Sequence, residues 1–319
     1  MYARNINNMD MNHRYQPVLA ILILVVTALS WGCQSGNRGT PKLIDDAELG
    51  ETVGGIESFN QIYHLYPSPA EMLSIIDMAE MSYDEDLLNN PEEADRYLDT
   101  KSKSYILGVY MTDLAYAALF GRHEATLDYL EVVRKLAGEI QIEQAVDDAM
   151  VEKARNNVEY LDSLYNISNE AFMNIISFCE RNERSNTVVM LSAGAFTESL
   201  FLAVNLIDDY GAADYLLQHL ADQKYTIYNF LTFAESVGED DPNVVSTIED
   251  LAEIRAIYKG IDPGTGTVTV SPSKTDQGEQ PKKLVIGGSD STSQPGLTKE
   301  EFESLREAII RLRTKMIKG

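Results

Sequence analysis

The sequence predicts a mainly α protein: an antiparallel helical bundle or stack of helical hairpins with about seven helices, then a small C-terminal β-hairpin and a final helix. Three observations carry this expectation. Apolar residues recur at helical spacing through most of the stretch from 67 to 259. Cap-then-proline signals punctuate that stretch, and the links between its periodic runs are short, as antiparallel neighbours require. Two segments, 105–120 and 188–207, are apolar on almost every side, the mark of buried central helices.

Taken in order, Ser68-Pro69-Ala70-Glu71 offers an N-cap, a proline at the first helical position and a capping-box glutamate. Asn90-Pro91-Glu92-Glu93 and Asp241-Pro242 repeat the cap and proline. Links are expected around Gly121–His123, Ile140–Gln144, Asn166–Asn169, Glu183–Asn186, Asp209–Gly211 and Gly238–Asp241. In 144–165, Val146, Met150, Val158, Leu161 and Tyr165 keep helical spacing, and in 242–259 Val244, Ile248, Leu251 and Tyr258 do so up to Gly260. No fixed repeat period appears. Beyond Gly260, TVTV at 267–270 and KLVI at 283–286 predict a hairpin, separated by a polar loop and followed by a linker. The last helix starts at Thr298, with Glu301 as its capping partner. Its seam is Phe302, Leu305, Ile309, Leu312 and Met316. Arg306, Arg311, Arg313, Lys315 and Lys318 make it the one basic element, expected to dock on an acidic body.

The 319 residues include 26 basic and 50 acidic side chains, a net charge of −24. That field repels phosphate backbones, so no nucleic-acid partner is expected. The N-terminus carries Arg4 and Arg14 and then an uncharged run, VLAILILVVTAL at 18–29. The run falls short of the ~20 residues of a membrane-spanning helix and fits a secretory signal. It ends LSWGC, which resembles the lipobox of bacterial lipoprotein precursors, with Gly32 before Cys33. The resemblance implies cleavage between Gly32 and Cys33 and acylation of Cys33. Ser30 stands where the family carries a bulky aliphatic residue, with Leu29 one place further out, and looser boxes of this kind occur in Bacteroidota-type bacteria. Two or more acyl chains give stable membrane anchoring. Gln34 is not the aspartate of an inner-membrane retention signal, and no acidic export cluster follows Cys33. The expected location is therefore the outer membrane, facing the periplasm, with surface exposure as the other orientation. The expected division is 1–32 signal peptide, 33–60 acylated cysteine and polar tether, 61–260 helical domain, 261–297 turn, hairpin and linker, and 298–319 final helix.

Candidate chemistry is sparse. At ~100° per residue, Asp113 falls among Ile106, Val109, Ala117 and Phe120. In the second apolar helix, Gly194, Glu198 and Asn205 form a narrow polar stripe, and Ser192, Ala193, Gly194 and Ala195 allow another backbone to approach. Asp113 and Glu198, with Tyr110, Tyr116 and Asn205, are thus the candidate buried polar site: either a structural network or a ligand pocket. His64, His123 and His219 are too dispersed for a metal centre, and no nucleophile elbow, phosphate loop or calcium loop occurs, so no catalytic residue, metal or cofactor is expected. Cys179, in NIISFCERN, reads as a buried inert thiol. The acidic runs 84–86 and 239–241 read as solvated loop ends, and most of the 17 tyrosines as core packing.

GVYMTDLAYA at 108–117, AGAFTESLFLA at 193–203 and LTKEEFESLREAIIRLR at 297–313, with the lipobox, resemble a group of helical lipoproteins of unknown function from Bacteroidota-type bacteria. The resemblance implies an all-helical envelope lipoprotein and supplies no catalytic residue. The expected role is an interaction or scaffold module with an envelope protein partner. A small-molecule or glycan-binding lipoprotein, with a pocket near Asp113 and Glu198, is the alternative.

Overall fold

A computed structural model describes residues 69–261 and 296–318, apart from 158 and 239. Every regular element among them is helical. The first helix, α1, is Pro69–Met78, starting on the proline that the cap signal marks. Two 3-10 turns, Glu85–Leu87 and Pro91–Arg96, lead to α2, Thr100–Leu119. Then come α3, His123–Glu139; α4, Asp148–Asn156; and α5, Leu161–Arg181. The second all-apolar segment is α6, Ser185–Asn205. A long α7, Asp214–Gly238, precedes the short α8, Pro242–Asp250, and α9, Ala252–Gly260. The final helix, α10, is Lys299–Lys318.

The two all-apolar helices α2 and α6 are the centre of the fold and each other's main partner. Their closest approach runs through glycine. A Cβ on Gly194 would fall inside the radius of the Tyr105 carbonyl oxygen, and one on Gly108 inside that of Leu191. The small-residue stripe at 192–195 thus meets a backbone, as its composition requires. Thr112 donates from Oγ1 to the Gly108 carbonyl (3.1 Å) and across to the Ala195 carbonyl (3.3 Å). Around this pair, α3 and α5 cover α2, while α7, α8 and α10 cover α6. The α6 helix is long and apolar enough to cross a membrane, but its apolar stretch lies wholly inside the protein.

Three of the expected links end helices in one way. Gly121, Gln141 and Glu183 adopt positive φ (64°, 63° and 57°), and the next amide donates back across the last turn: Arg122 N to Ala117 O, Ile142 N to Ala137 O, Arg184 N to Cys179 O. This is the left-handed C-cap, which satisfies carbonyls left open at a helix end.

Other boundaries need correction. Asn166–Asn169 is not a link but lies within α5, where Leu164, Ile167, Ala171, Phe172, Ile175, Ile176 and Cys179 are all buried. Burial of that face outweighs the turn preference of Asn and Ser, and Ser168 returns its hydroxyl to the Tyr165 carbonyl. Conversely, 144–165 is not one helix. Asp147 caps α4 by accepting from Met150 N, and Asn157 Nδ2 takes the Lys153 carbonyl at its end (2.7 Å). The helix at 242–259 is interrupted at the buried Leu251. Asn90-Pro91 opens a 3-10 turn rather than an α-helix. The acidic runs are partly structural: Asp84 caps a 3-10 turn, and Asp241 caps α8 while accepting from Asn186.

The basic final helix docks as its seam predicts. Phe302, Leu305, Ile309, Leu312 and Met316 are buried, and Thr298 and Glu301 form the reciprocal capping box. Its cations meet acids of the body, Arg311 on Glu253 and Lys315 on Asp250. The signal, lipobox, tether and 267–286 hairpin expectations lie outside the described residues.

Candidate functional site

The sequence leaves open whether Asp113 and Glu198 lie near each other. The crossing of α2 and α6 brings them together, both fully buried. Asn89, from the loop between the two 3-10 turns, bridges them. Its side-chain Nδ2 donates to Asp113 Oδ2 (3.0 Å) and reaches Glu198 Oε1 (3.4 Å), while its backbone N–H also donates to Asp113 Oδ2 (3.2 Å). On the other side, Arg313 of α10 grips Glu198 with two parallel bonds, Nε to Oε2 (2.7 Å) and Nη2 to Oε1 (2.9 Å). This fork matches a carboxylate with both charge and geometry. Nη2 also donates to the Leu87 carbonyl (2.9 Å), and the guanidinium lies 3.8 Å from the ring centre of Phe201.

Tyrosines position the loop that carries Asn89. Tyr110 donates to the Asn90 carbonyl (2.8 Å) and Tyr129 to the Asn89 carbonyl (2.9 Å). Tyr116 accepts from the Asp84 amide (3.0 Å) and stacks on Tyr83. So Tyr110 and Tyr116 serve the site through the loop backbone rather than touching the carboxylates. Burial pushes the phenols of Tyr110, Tyr116 and Tyr129 above their ordinary value, which keeps them neutral donors. Asn205 does not join the site: its Nδ2 returns to the Phe201 carbonyl of its own helix.

Burial, and then the charge of Glu198, push Asp113 well above the ordinary carboxylate range. Burial raises Glu198 too, against the opposing pull of Arg313 and of hydrogen bonds from Asp113 and Asn89. Burial lowers Arg313, but its carboxylate partner outweighs that, so the guanidinium stays charged. Asp113 Oδ1 is buried and accepts from no donor among the described residues.

A second polar hub sits nearby in the fold. Asp250 accepts from Lys101 Nζ (3.0 Å), Tyr105 (3.1 Å) and Lys315, tying α8 to α2 and α10. Burial alone raises Asp250, and the two lysines more than reverse it, holding the carboxyl below its ordinary value.

Sequence reasoning missed Asn89, Tyr129 and Arg313. Only Arg313 left a signal: it stands four residues after Ile309 and three before Met316, at the edge of the buried seam. Asn89 sits in an aperiodic loop, and Tyr129 reads as an ordinary core position. Open clefts occur elsewhere, one lined by Tyr83, Asp84, Arg122, His123 and Asp128 and another at the α7–α8 turn, and neither includes Asp113 or Glu198. Among the described residues no group of three or more His, Cys, Asp or Glu side chains is placed to hold a metal ion.

Fold and site together define a mainly helical protein whose interior polar groups knit a loop and the C-terminal helix to two central helices. Compared with known proteins, the chain matches no family model, no curated protein and no solved structure.

Proposed function

We propose that the chain is a lipid-anchored helical envelope protein, held to the outer membrane by acyl chains on Cys33, that acts as an interaction module for another envelope protein. The observation that carries the interaction reading is the state of the buried carboxylates. Glu198 is bound by Arg313, and Asp113 by Asn89, so their chemistry is turned inward to hold the fold. What faces solvent is the acidic helical surface, suited to a partner that presents basic side chains. The pocket alternative draws less support, because Asn89 and Arg313 occupy the space around both carboxylates.

The test is made in a bacterial host that processes lipoproteins. The full chain should incorporate a fatty-acid label, fractionate with the outer membrane and give a discrete crosslinked partner in intact cells. Cys33→Ala should lose the label, the membrane attachment and the crosslink together. An unlabelled wild-type chain overturns the anchoring, and a labelled chain with no crosslinked partner overturns the interaction role.

A further inference from the structure

The Asp113–Glu198–Arg313 cluster has an unbalanced charge count. Two carboxyl groups, both fully buried, face one guanidinium. With both ionised, one negative charge would remain uncompensated in the interior, a large desolvation cost. The hydrogen bonds show which carboxyl is the odd one. Glu198 takes both arms of the Arg313 fork. Among the described residues Asp113 receives only amide donors, all at Oδ2, and its buried Oδ1 receives none. A proton on the Asp113 carboxyl resolves both problems. It removes the excess charge, and it turns the orphan acceptor into a donor beside Glu198, the carboxylate that Asn89 Nδ2 also reaches.

We propose that Asp113 and Glu198 are an acid–carboxylate pair holding one proton between them, and that seating Arg313 of α10 against this pair makes folding proton-linked. The groups facing the pair are consistent with one proton and no more. Arg313 comes from α10 and Asn89 from the loop. Tyr83 comes from the segment after α1, Tyr110 from α2 and Tyr129 from α3. The hydroxyls of Tyr110 and Tyr129 already donate to loop carbonyls, leaving Asp113 as the proton holder.

The sign follows from linkage. An Asp whose pKa is raised by folding stabilises the fold fully below its unfolded value, about 3.9, and loses that contribution as pH rises through its folded value. Between those limits the folded chain holds one proton that the unfolded chain lacks. Its share of the folding equilibrium constant therefore falls about tenfold per pH unit.

Asp113→Asn is the matched test, because an amide keeps a donor for Glu198 and an acceptor for Asn89 without titrating. Folding equilibria of the full chain in detergent, wild type and variant, are measured by urea denaturation from pH 5 to pH 8. The proposal expects the wild-type constant to fall relative to the variant by about tenfold per pH unit, approaching a thousandfold over the range if the folded value lies above it. Parallel profiles overturn it. An infrared measurement on the wild-type chain keeps the test independent of the variant's folding. Titrated upward from pH 5, the carbonyl-stretch band of one un-ionised carboxylic acid should outlast those of the exposed carboxyl groups, and its disappearance together with them overturns the proposal.

Discussion

Arg313 and Glu198, 115 residues apart in sequence, form a two-pronged ion pair in which the carboxylate is fully buried and the guanidinium side chain is 11% exposed. A pair of this kind is costly to break from one side, because the survivor is left charged in the interior. Glu198→Gln and Arg313→Met should each destabilise the protein by about 3–5 kcal/mol in urea denaturation. The double variant Glu198→Gln/Arg313→Met should lose much less than the sum of the singles. Additive losses would mean that the two side chains act independently.

The α2–α6 crossing makes a second prediction. Gly108→Ala and Gly194→Ala each place a methyl group against backbone, which cannot move aside as a side chain can. Each should cost at least about 1–3 kcal/mol, the usual penalty of overpacking. Gly138→Ala in α3 is the control. Its nearest neighbour would be 3.9 Å away, so it should be neutral or gain about 0.5–1 kcal/mol from helix propensity. Thermal unfolding of the three variants separates the cases.

Asp250 predicts the opposite pH behaviour from Asp113. Its carboxyl is held below the ordinary value, so its stabilising share is present above about pH 4 and lost as pH falls through the folded value. Asp250→Asn should destabilise at pH 6 by about 1 kcal/mol, a modest figure because the Lys315 partner is largely exposed. The difference from wild type should vanish toward pH 2. A difference that persists in acid would point to the Tyr105 hydrogen bond instead of the lysines.

Cys179 is buried, and burial pushes its thiol up to about 11. A maleimide reagent should therefore leave it unmodified in the folded chain and label it after urea denaturation. Rapid labelling of the native protein would show that α5 opens readily.

Much of this architecture is legible in sequence wherever composition and local chemistry agree. The two all-apolar segments are the central helices, Pro69 and Pro242 open helices, and the seam of α10 is buried. Boundaries fail where tertiary burial competes with local preference. Asn166, Ser168 and Asn169 look like a turn, yet Leu164, Ile167 and Ala171 carry the helix through them. The candidate site is half legible for a related reason. A carboxylate on an apolar helix announces itself, so Asp113 and Glu198 stand out one by one. Their partners do not, because Asn89 lies 109 residues from Glu198 in a loop without periodicity. Asn205 looks equivalent to Glu198 on the polar stripe, but it sits at the end of α6, where its amide finds a carbonyl of its own helix.

The buried seam and the Arg313–Glu198 pair make α10 an integral, ion-locked part of the core rather than a cover over a ligand pocket. Amide hydrogen exchange along 299–318, in wild type and in Glu198→Gln, tests it most directly. The α10 amides should be protected to the same degree as those of α6 in the wild type, with protection lost selectively in α10 when Glu198 is neutralised. Fast exchange of α10 in the wild-type chain, or unchanged protection in the variant, would contradict it.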